Sequence, residues 1–154
     1  MSDNILVIPK VSIIIPIYNT APFLRETLDS ICNQSLKELD IILINDGSTD
    51  ESPDIIEEYA LRDHRIRYMT QPNQGQSVAR NNGLQLATGK YIYFMDSDDK
   101  LDTDALKECY NICEKDKLDF VFFDATVISA PDTSNTFTYC RKGIINEKDR
   151  KSVV

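Results

Sequence analysis

The sequence predicts an α/β fold in which a mostly parallel sheet carries helices on both faces. Two observations predict it. Val11–Ile17 (VSIIIPI) and Asp40–Asn45 (DIILIN) are continuous apolar runs rich in β-branched residues, the pattern of strands buried on both sides. Each is followed by a segment whose apolar residues recur at helical spacing, and strands alternating with helices make parallel βαβ units with right-handed crossovers.

The elements follow in order. Pro16 marks the exit of the first strand, and Pro22 suits the first turn of a helix over Pro22 to Asn33, with Leu24, Leu28, Ile31 and Cys32 on its apolar side. After the second strand, Ser52 and Pro53 start a helix whose inner face is Ile55, Ile56, Tyr59 and Ala60. Arg65 to Thr70 alternates as a shorter strand. The polar loop QPNQGQ leads into a helix near Ser77, which Gly89 is expected to end. Tyr91 to Asp96 (YIYFMD) is a further strand, and Asp102 or Thr103 caps a helix carrying Ala105, Leu106, Cys109, Tyr110 and Cys113. Asp119 to Ile128 is expected as a long apolar strand, followed by a loop with Pro131, Asp132 and Ser134 and a weak strand at Thr136 to Cys140. Asn146 resembles a helix N-cap, but the chain stops within two turns at Val154, the expectation being a truncated C-terminus. No repeat or domain boundary interrupts residues 1–154, and a single domain is expected.

Length and composition agree. The 154 residues suffice for one core, and 42% hydrophobic residues with few glycines and prolines is globular composition. The formal net charge of −8 disfavours nucleic acid as a partner. No signal-peptide pattern opens the chain and no segment approaches the roughly 20 apolar residues of a transmembrane helix. Cys32, Cys109, Cys113 and Cys140 stand beside a single histidine, His64, so zinc chemistry is not expected. Cys109 and Cys113, four apart on one helix face, read as reduced core thiols, which suits a reducing cytoplasmic compartment.

Ligands of open α/β sheets bind beyond the carboxyl ends of the strands. Unusual polar residues sit there: Tyr18 and Asn19 after the first strand, Asn45 to Asp50 (NDGSTD) after the second, and Asp96, Ser97, Asp98 and Asp99 after Tyr91–Met95. Three carboxylates in four residues stay ionised cheaply only when water or a cation screens them, and short oxygen-rich turns suit Mg²⁺ or Mn²⁺; a solvated turn leading into a helix is the plainer alternative. Gly47, Ser48 and Thr49 read as turn residues, whereas Asp46, the first position past a buried strand, is placed to accept an N–H from a base. Tyr18 can stack on a base or pack at a rim. Arg80 can pair with phosphate or with Asp46, or serve a structural salt bridge.

The ordered strings VSIIIPIYN, INDGSTDES, NQGQSVARNNG and GKYIYFMDSDD resemble glycosyltransferase family 2, over roughly Pro9 to Cys113. The resemblance implies the GT-A fold, a Rossmann-like nucleotide-diphospho-sugar transferase sheet. It implies that Pro16, Ile17, Tyr18 and Asn19 line the base pocket, that Asp46 bonds a uracil ring, and that Arg80 lies near base and phosphates. Asp96 with Ser97 and Asp98 matches the D-x-D motif. Asp96 would lie toward ribose and sugar, Asp98 would hold Mn²⁺ or Mg²⁺ against the diphosphate, and Asp99 would help rather than ligate. The implied reaction is inverting transfer from a nucleotide-sugar, UDP-sugar first, to a saccharide or lipid-linked acceptor in the cytoplasm or at the inner membrane face. Peripheral membrane association would use a region absent from this chain.

A catalytic base is not assigned. The family places it well beyond the D-x-D motif, so it is expected beyond Val154 together with the acceptor-binding half, and neither Asp124 nor Asp132 is a convincing candidate. The alternative is a catalytically incomplete module that binds nucleotide-sugar without turnover. A receiver domain would need an acidic pair where Tyr18 and Asn19 stand, and a nucleotidyltransferase would need a glycine-rich basic loop where PIYNTAPF has no glycine.

Overall fold

A computed structural model describes residues 8–123. The chain divides into two compact units at Lys107–Glu108. The first contains a four-stranded, all-parallel sheet of order β3-β2-β1-β4. Its strands are β1 (Val11–Ile17), β2 (Leu39–Asn45), β3 (Ile66–Thr70) and β4 (Tyr91–Phe94). The helices between them are α1 (Ala21–Cys32), α2 (Ser52–Arg62) and α3 (Gln76–Leu86), and α4 (Ala105–Asp116) crosses the division.

Every residue of β1 and β2 is buried, as their unbroken apolar runs require. The chain steps from β1 to β2 to β3 in one direction, then reverses past β1 to place β4. Right-handed crossovers therefore put α1 and α2 on one face and α3 on the other. The α3 face is a core of Ile14, Ile42, Ile44 and Ala79, with Met69, Leu86 and Ala87 against it. Gly83 allows the close approach: a Cβ there would come within 2.4 Å of Ile14 Cγ2. Leu24, Leu28, Ile31, Ile55 and Ile56, the apolar stripes of α1 and α2, are buried as well. The reversal of direction leaves a switch point between β1 and β4, the place where open α/β sheets hold ligands.

The opposite ends of the strands are tied by a polar cluster. Asp40 is buried and accepts from Ser12 Oγ at 2.8 Å, from Thr88 Oγ1 at 3.0 Å and from the Arg67 guanidinium at 2.7 Å. Burial opposes its charge, but these donors prevail and hold the carboxyl below its ordinary range. Gly89 donates its amide to Ser12 Oγ at 2.8 Å.

Gly89 was expected to end the third helix, and it does not. The helix stops at Leu86 because Ala87 turns to extended backbone (φ −66, ψ 135). Gly89 serves a close approach instead: a Cβ would sit 2.5 Å from Ser12 N and 2.7 Å from Val11 C. The expected strand from Asp119 is a second difference. Among the described residues of that run, Asp119–Phe123, no strand is formed. The rest of that strand, Pro131, Asp132 and Ser134, the strand at Thr136 to Cys140, Asp124 and the helix start at Asn146 lie outside the described residues. Cys32 and Cys109 are free thiols, and Cys113 is buried. Among the described residues no helix is long and apolar enough to cross a membrane.

Gly89→Ala must displace main chain of β1, so we expect it to lower stability by about 1–3 kcal/mol, read as a fall in the urea midpoint. An unchanged midpoint would contradict the close approach.

Candidate functional site

The register of the sheet builds the site. Ile17 pairs with Asn45, so the residues that follow each leave the sheet side by side. Asp46 N then donates to Ile17 O at 2.8 Å, and Gln71 N to Asn45 O at 2.9 Å, extending the ladder one step into the loops.

Asn19 organises the loop after β2. Its Oδ1 accepts the amides of Thr49 at 2.8 Å and Asp50 at 3.3 Å, while its own amide donates to Ser48 Oγ at 3.1 Å. Its φ of 52° is in the left-handed region, which asparagine tolerates better than most residues. Asp50 in turn accepts the amide of Ala21, the first residue of α1, at 3.0 Å, and that of Ser52 at 2.9 Å. Thr20 makes no side-chain cap for α1, so a carboxylate from a distant loop satisfies that helix end. Burial works against the Asp50 charge, and the Ala21 and Ser52 donors outweigh it, holding its carboxyl below the ordinary range.

Asp46 is almost wholly buried, 2% exposed. Its Oδ1 accepts Gln71 Nε2 at 2.8 Å and Gln74 N at 2.9 Å, and its Oδ2 accepts Gly75 N at 2.9 Å. Gly47 (φ 75) lets the loop after β2 pass the loop after β3, since a Cβ there would meet Asn73 N at 2.8 Å.

The turn after β4 is held from α1 and from Gln34 just beyond it. Thr27 Oγ1 donates to Ser97 O at 2.9 Å, Leu101 N to Ser30 Oγ at 3.2 Å, and Gln34 Nε2 to Asp102 O at 2.6 Å. Arg80 meets Asp96 Oδ1 at 2.5 Å, and Gln76 Nε2 reaches the same oxygen at 2.9 Å. Of the partners the sequence allows Arg80 (phosphate, Asp46 or a structural salt bridge), the structure shows a salt bridge. The structure pairs Arg80 with Asp96 and not with Asp46. The Arg80 Nε is buried without a partner. Burial raises the pKa of Asp99, and the neighbouring Asp96 and Asp98 charges add to the rise. The Asp98 carboxylate is exposed and bears no hydrogen bond or ion pair.

These segments enclose a hollow of about 480 Å³ at the switch point, lined by Pro16, Ile17, Tyr18, Thr20, Asp46, Asn73, Gly75, Gln76, Asp96, Ser97 and Asp98. Asn19 and Arg80, also singled out from the sequence, do not line it; Arg80 braces Asp96, which does, and Asn19 holds the Ser48–Asp50 loop beside it. Sequence reasoning passed over Thr20, Asn73, Gly75 and Gln76. The signal was present, since QPNQGQ follows the carboxyl end of β3 and the same strand-end rule carries it to this rim. A larger hollow of about 870 Å³ lies at the other end of the strands, lined by residues such as Lys37, Asp40, His64, Arg67 and Thr88. The charged side chains there are engaged with protein partners, Arg67 with Asp40, Arg65 with Asp63, Glu38 with Lys10 and Lys37 with Gln34 O, so the switch-point hollow is the better candidate despite its smaller volume.

Among the described residues no group of three histidine, cysteine or acidic side chains is arranged to hold a metal ion.

Comparison with known proteins agrees with the fold. The family model described as Glycosyl transferase family 2 matches residues 12–153. The chain is 46% identical over 114 residues to an uncharacterized glycosyltransferase, EpsJ, of Bacillus subtilis (strain 168), covering 74% of this chain and 33% of the relative. It is 41% identical over 110 residues to the chondroitin synthase of Pasteurella multocida (strain Pm70), covering 71% of this chain and 11% of that protein. Among solved structures it resembles S. aureus TarS 1-349 in complex with UDP-GlcNAc, with TM-score 0.65 and 29% identity, covering 69% of this chain and 31% of that one. It also resembles a mannosyltransferase of Pyrobaculum calidifontis in complex with GDP-Man and Mn2+, with TM-score 0.64 and 27% identity over 68% of this chain and 32% of that one. The chain spans a third or less of the length of the first curated relatives it matches.

Replacing Asn19 tests the loop clamp. Asn19→Ala is expected to cost about 1–3 kcal/mol through lost hydrogen bonds and an alanine at positive φ. Amide exchange at Thr49 and Asp50 should accelerate. Asn19→Gly should give the same faster exchange with a smaller loss of stability, and equal losses would contradict the backbone argument.

Proposed function

The chain belongs to glycosyltransferase family 2, and on that basis we propose that its switch-point hollow binds the nucleotide of a UDP-sugar for inverting transfer to a saccharide or lipid-linked acceptor. The observation that carries this reading is the meeting of Tyr18, Asp46, Asp96 and Asp98 around one cavity. The TarS complexes with UDP-GlcNAc and UDP favour uridine as the nucleotide.

Each residue has a chemical task in this reading. The Tyr18 ring, 48% exposed, offers a face on which a base stacks. Asp46 accepts a base N–H at the cavity floor. Asp96 turns toward ribose and sugar, with Arg80 and Gln76 fixing one of its oxygens. Arg80 also places positive charge beside the diphosphate. Asp98, with no protein partner, is a free oxygen ligand at the cavity rim.

These residues fit Mn²⁺ or Mg²⁺. Such ions are commonly held by one or two carboxylates together with substrate phosphates rather than by an all-protein cage. That matches a rim with Asp98 and Asp96 and no third protein ligand among the described residues. When bound, the cation supplies positive charge that offsets the charge growing on the departing diphosphate. The acceptor hydroxyl attacks the sugar C1 from the face opposite UDP, its proton passing to a carboxylate base. We place that base and the acceptor-binding half in the portion of the longer relatives that this chain does not span. Cytoplasmic location, at the inner membrane face when the acceptor is lipid-linked, completes the proposal. The alternative is a module that binds donor without turnover. Release of UDP from donor above background would exclude it.

UDP with Mn²⁺ should raise the thermal midpoint, by the equivalent of about 2.7 kcal/mol at a hundredfold excess over Kd. Asp98→Ala should lose the Mn²⁺-dependent part of that rise and keep the rest. A full rise in the variant would remove Asp98 from the cation site, and no rise in the wild type would sink the nucleotide reading.

A further inference from the structure

Thr27 places a hydroxyl on the buried side of α1. Leu24, Leu28 and Ile31 make the rest of that side apolar, and Thr27 stands among them, 1% exposed. A hydroxyl inside a helix can donate back to a carbonyl of its own helix, as Ser30 Oγ does to Thr27 O at 2.7 Å. Thr27 Oγ1 leaves α1 instead and donates to Ser97 O at 2.9 Å, 70 residues along the chain. Valine has nearly the same shape, so packing does not call for the hydroxyl. The turn after β4 does.

That bond falls on the peptide that leads into Asp98. Asp99 N donates to Asp96 O at 3.2 Å, which makes Asp96–Asp99 a β-turn with Ser97 and Asp98 at its centre. Ser97 O belongs to the central peptide, whose rotation converts one turn type into another. Asn19 and Lys117 are the described non-glycine residues with positive φ, so Asp98 keeps the negative φ that a flip to type II would reverse. The two carboxylates beside Ser97 are oriented by different means. Asp96 is gripped at its side chain by Gln76 and Arg80, whereas the Asp98 carboxylate bears no protein bond. The direction of Asp98 is therefore set by its main chain, and Thr27 holds the peptide before it. Ser30 and Gln34 meet the chain farther on, at Leu101 N and Asp102 O.

We infer that Thr27 is a positioning residue of the cation site: by fixing the Ser97–Asp98 peptide it sets how tightly Asp98 holds Mn²⁺ or Mg²⁺ beside a bound diphosphate. This role rests on the reading of Asp98 as the cation's ligand and adds a residue that does not line the hollow. Groups one step removed from a metal ion commonly change its affinity by about 10–100-fold when they are lost.

The test is Mn²⁺ affinity on the whole chain saturated with UDP, read from the electron paramagnetic resonance of free Mn²⁺, together with amide exchange on the metal-free chain. Thr27→Val removes the hydroxyl and keeps the shape. It should weaken Mn²⁺ binding by about tenfold. It should also leave the metal-independent affinity for UDP unchanged and speed exchange at the Asp99 amide, which closes the turn. Thr27→Ala carries the same predictions if the valine variant does not fold. Thr27→Ser restores the donor and should recover most of the Mn²⁺ affinity. Gly89→Ala, which strains the sheet at its other end, should lower stability without changing Mn²⁺ affinity. Wild-type Mn²⁺ affinity in Thr27→Val, or an unchanged rate at Asp99, would overturn the role while the cation reading stands. So would an equal loss of affinity in Thr27→Ser, where the hydroxyl is present, or in Gly89→Ala, where only stability is touched. A wild-type chain that binds UDP but no Mn²⁺ would end the cation reading and this role with it; binding of neither would end the nucleotide reading as well.

Discussion

The parallel pairing of β1 with β2 is the constraint from which the rest follows. Both strands are buried along their whole length, so neither can slip by one residue without a wholesale repacking of two faces. That register sets Ile17 against Asn45 and releases the two following segments side by side. Asn19 can then accept from Thr49 and Asp50, and Asp50 can close the start of α1. The rim is ordered because the sheet beneath it has one register.

The two ends of the sheet use polar groups differently. At the amino ends, Asp40 is surrounded by Ser12, Arg67 and Thr88, and the donors and acceptors are consumed by one another. At the carboxyl ends, Asp46 retains an acceptor, Asp98 has no partner, and the Tyr18 ring is half exposed. Groups left with unmet capacity beside a hollow are what distinguish a binding site from a structural cluster. Volume alone would have pointed to the other end.

The sequence made the core legible because burial on two faces writes itself as an unbroken run. β1 matches its expected limits residue for residue, and β2 begins one residue earlier, at Leu39. The family is legible too, since four ordered strings carry it. Edges were harder. β4 ends at Phe94 rather than Asp96, and Asp119–Phe123 is apolar without being a strand, because pairing partners are a property of the fold and not of the segment. Gly89 looked like a helix stop, but its lack of a Cβ answers to Val11 and Ser12, far away in the chain. Likewise no local pattern announces that Gln71 serves Asp46 or that Arg80 serves Asp96. Those pairings depend on where β3 and α3 come to lie.

The account stands or falls on where a nucleotide sits. A crystal structure of the chain with UDP and Mn²⁺ measures this directly. We predict the uracil ring against Tyr18 with its N3–H on Asp46 Oδ2, and the diphosphate at the Asp96–Asp98 turn. A nucleotide seated at the Asp40 end of the sheet, or one whose base never reaches Asp46, would contradict it.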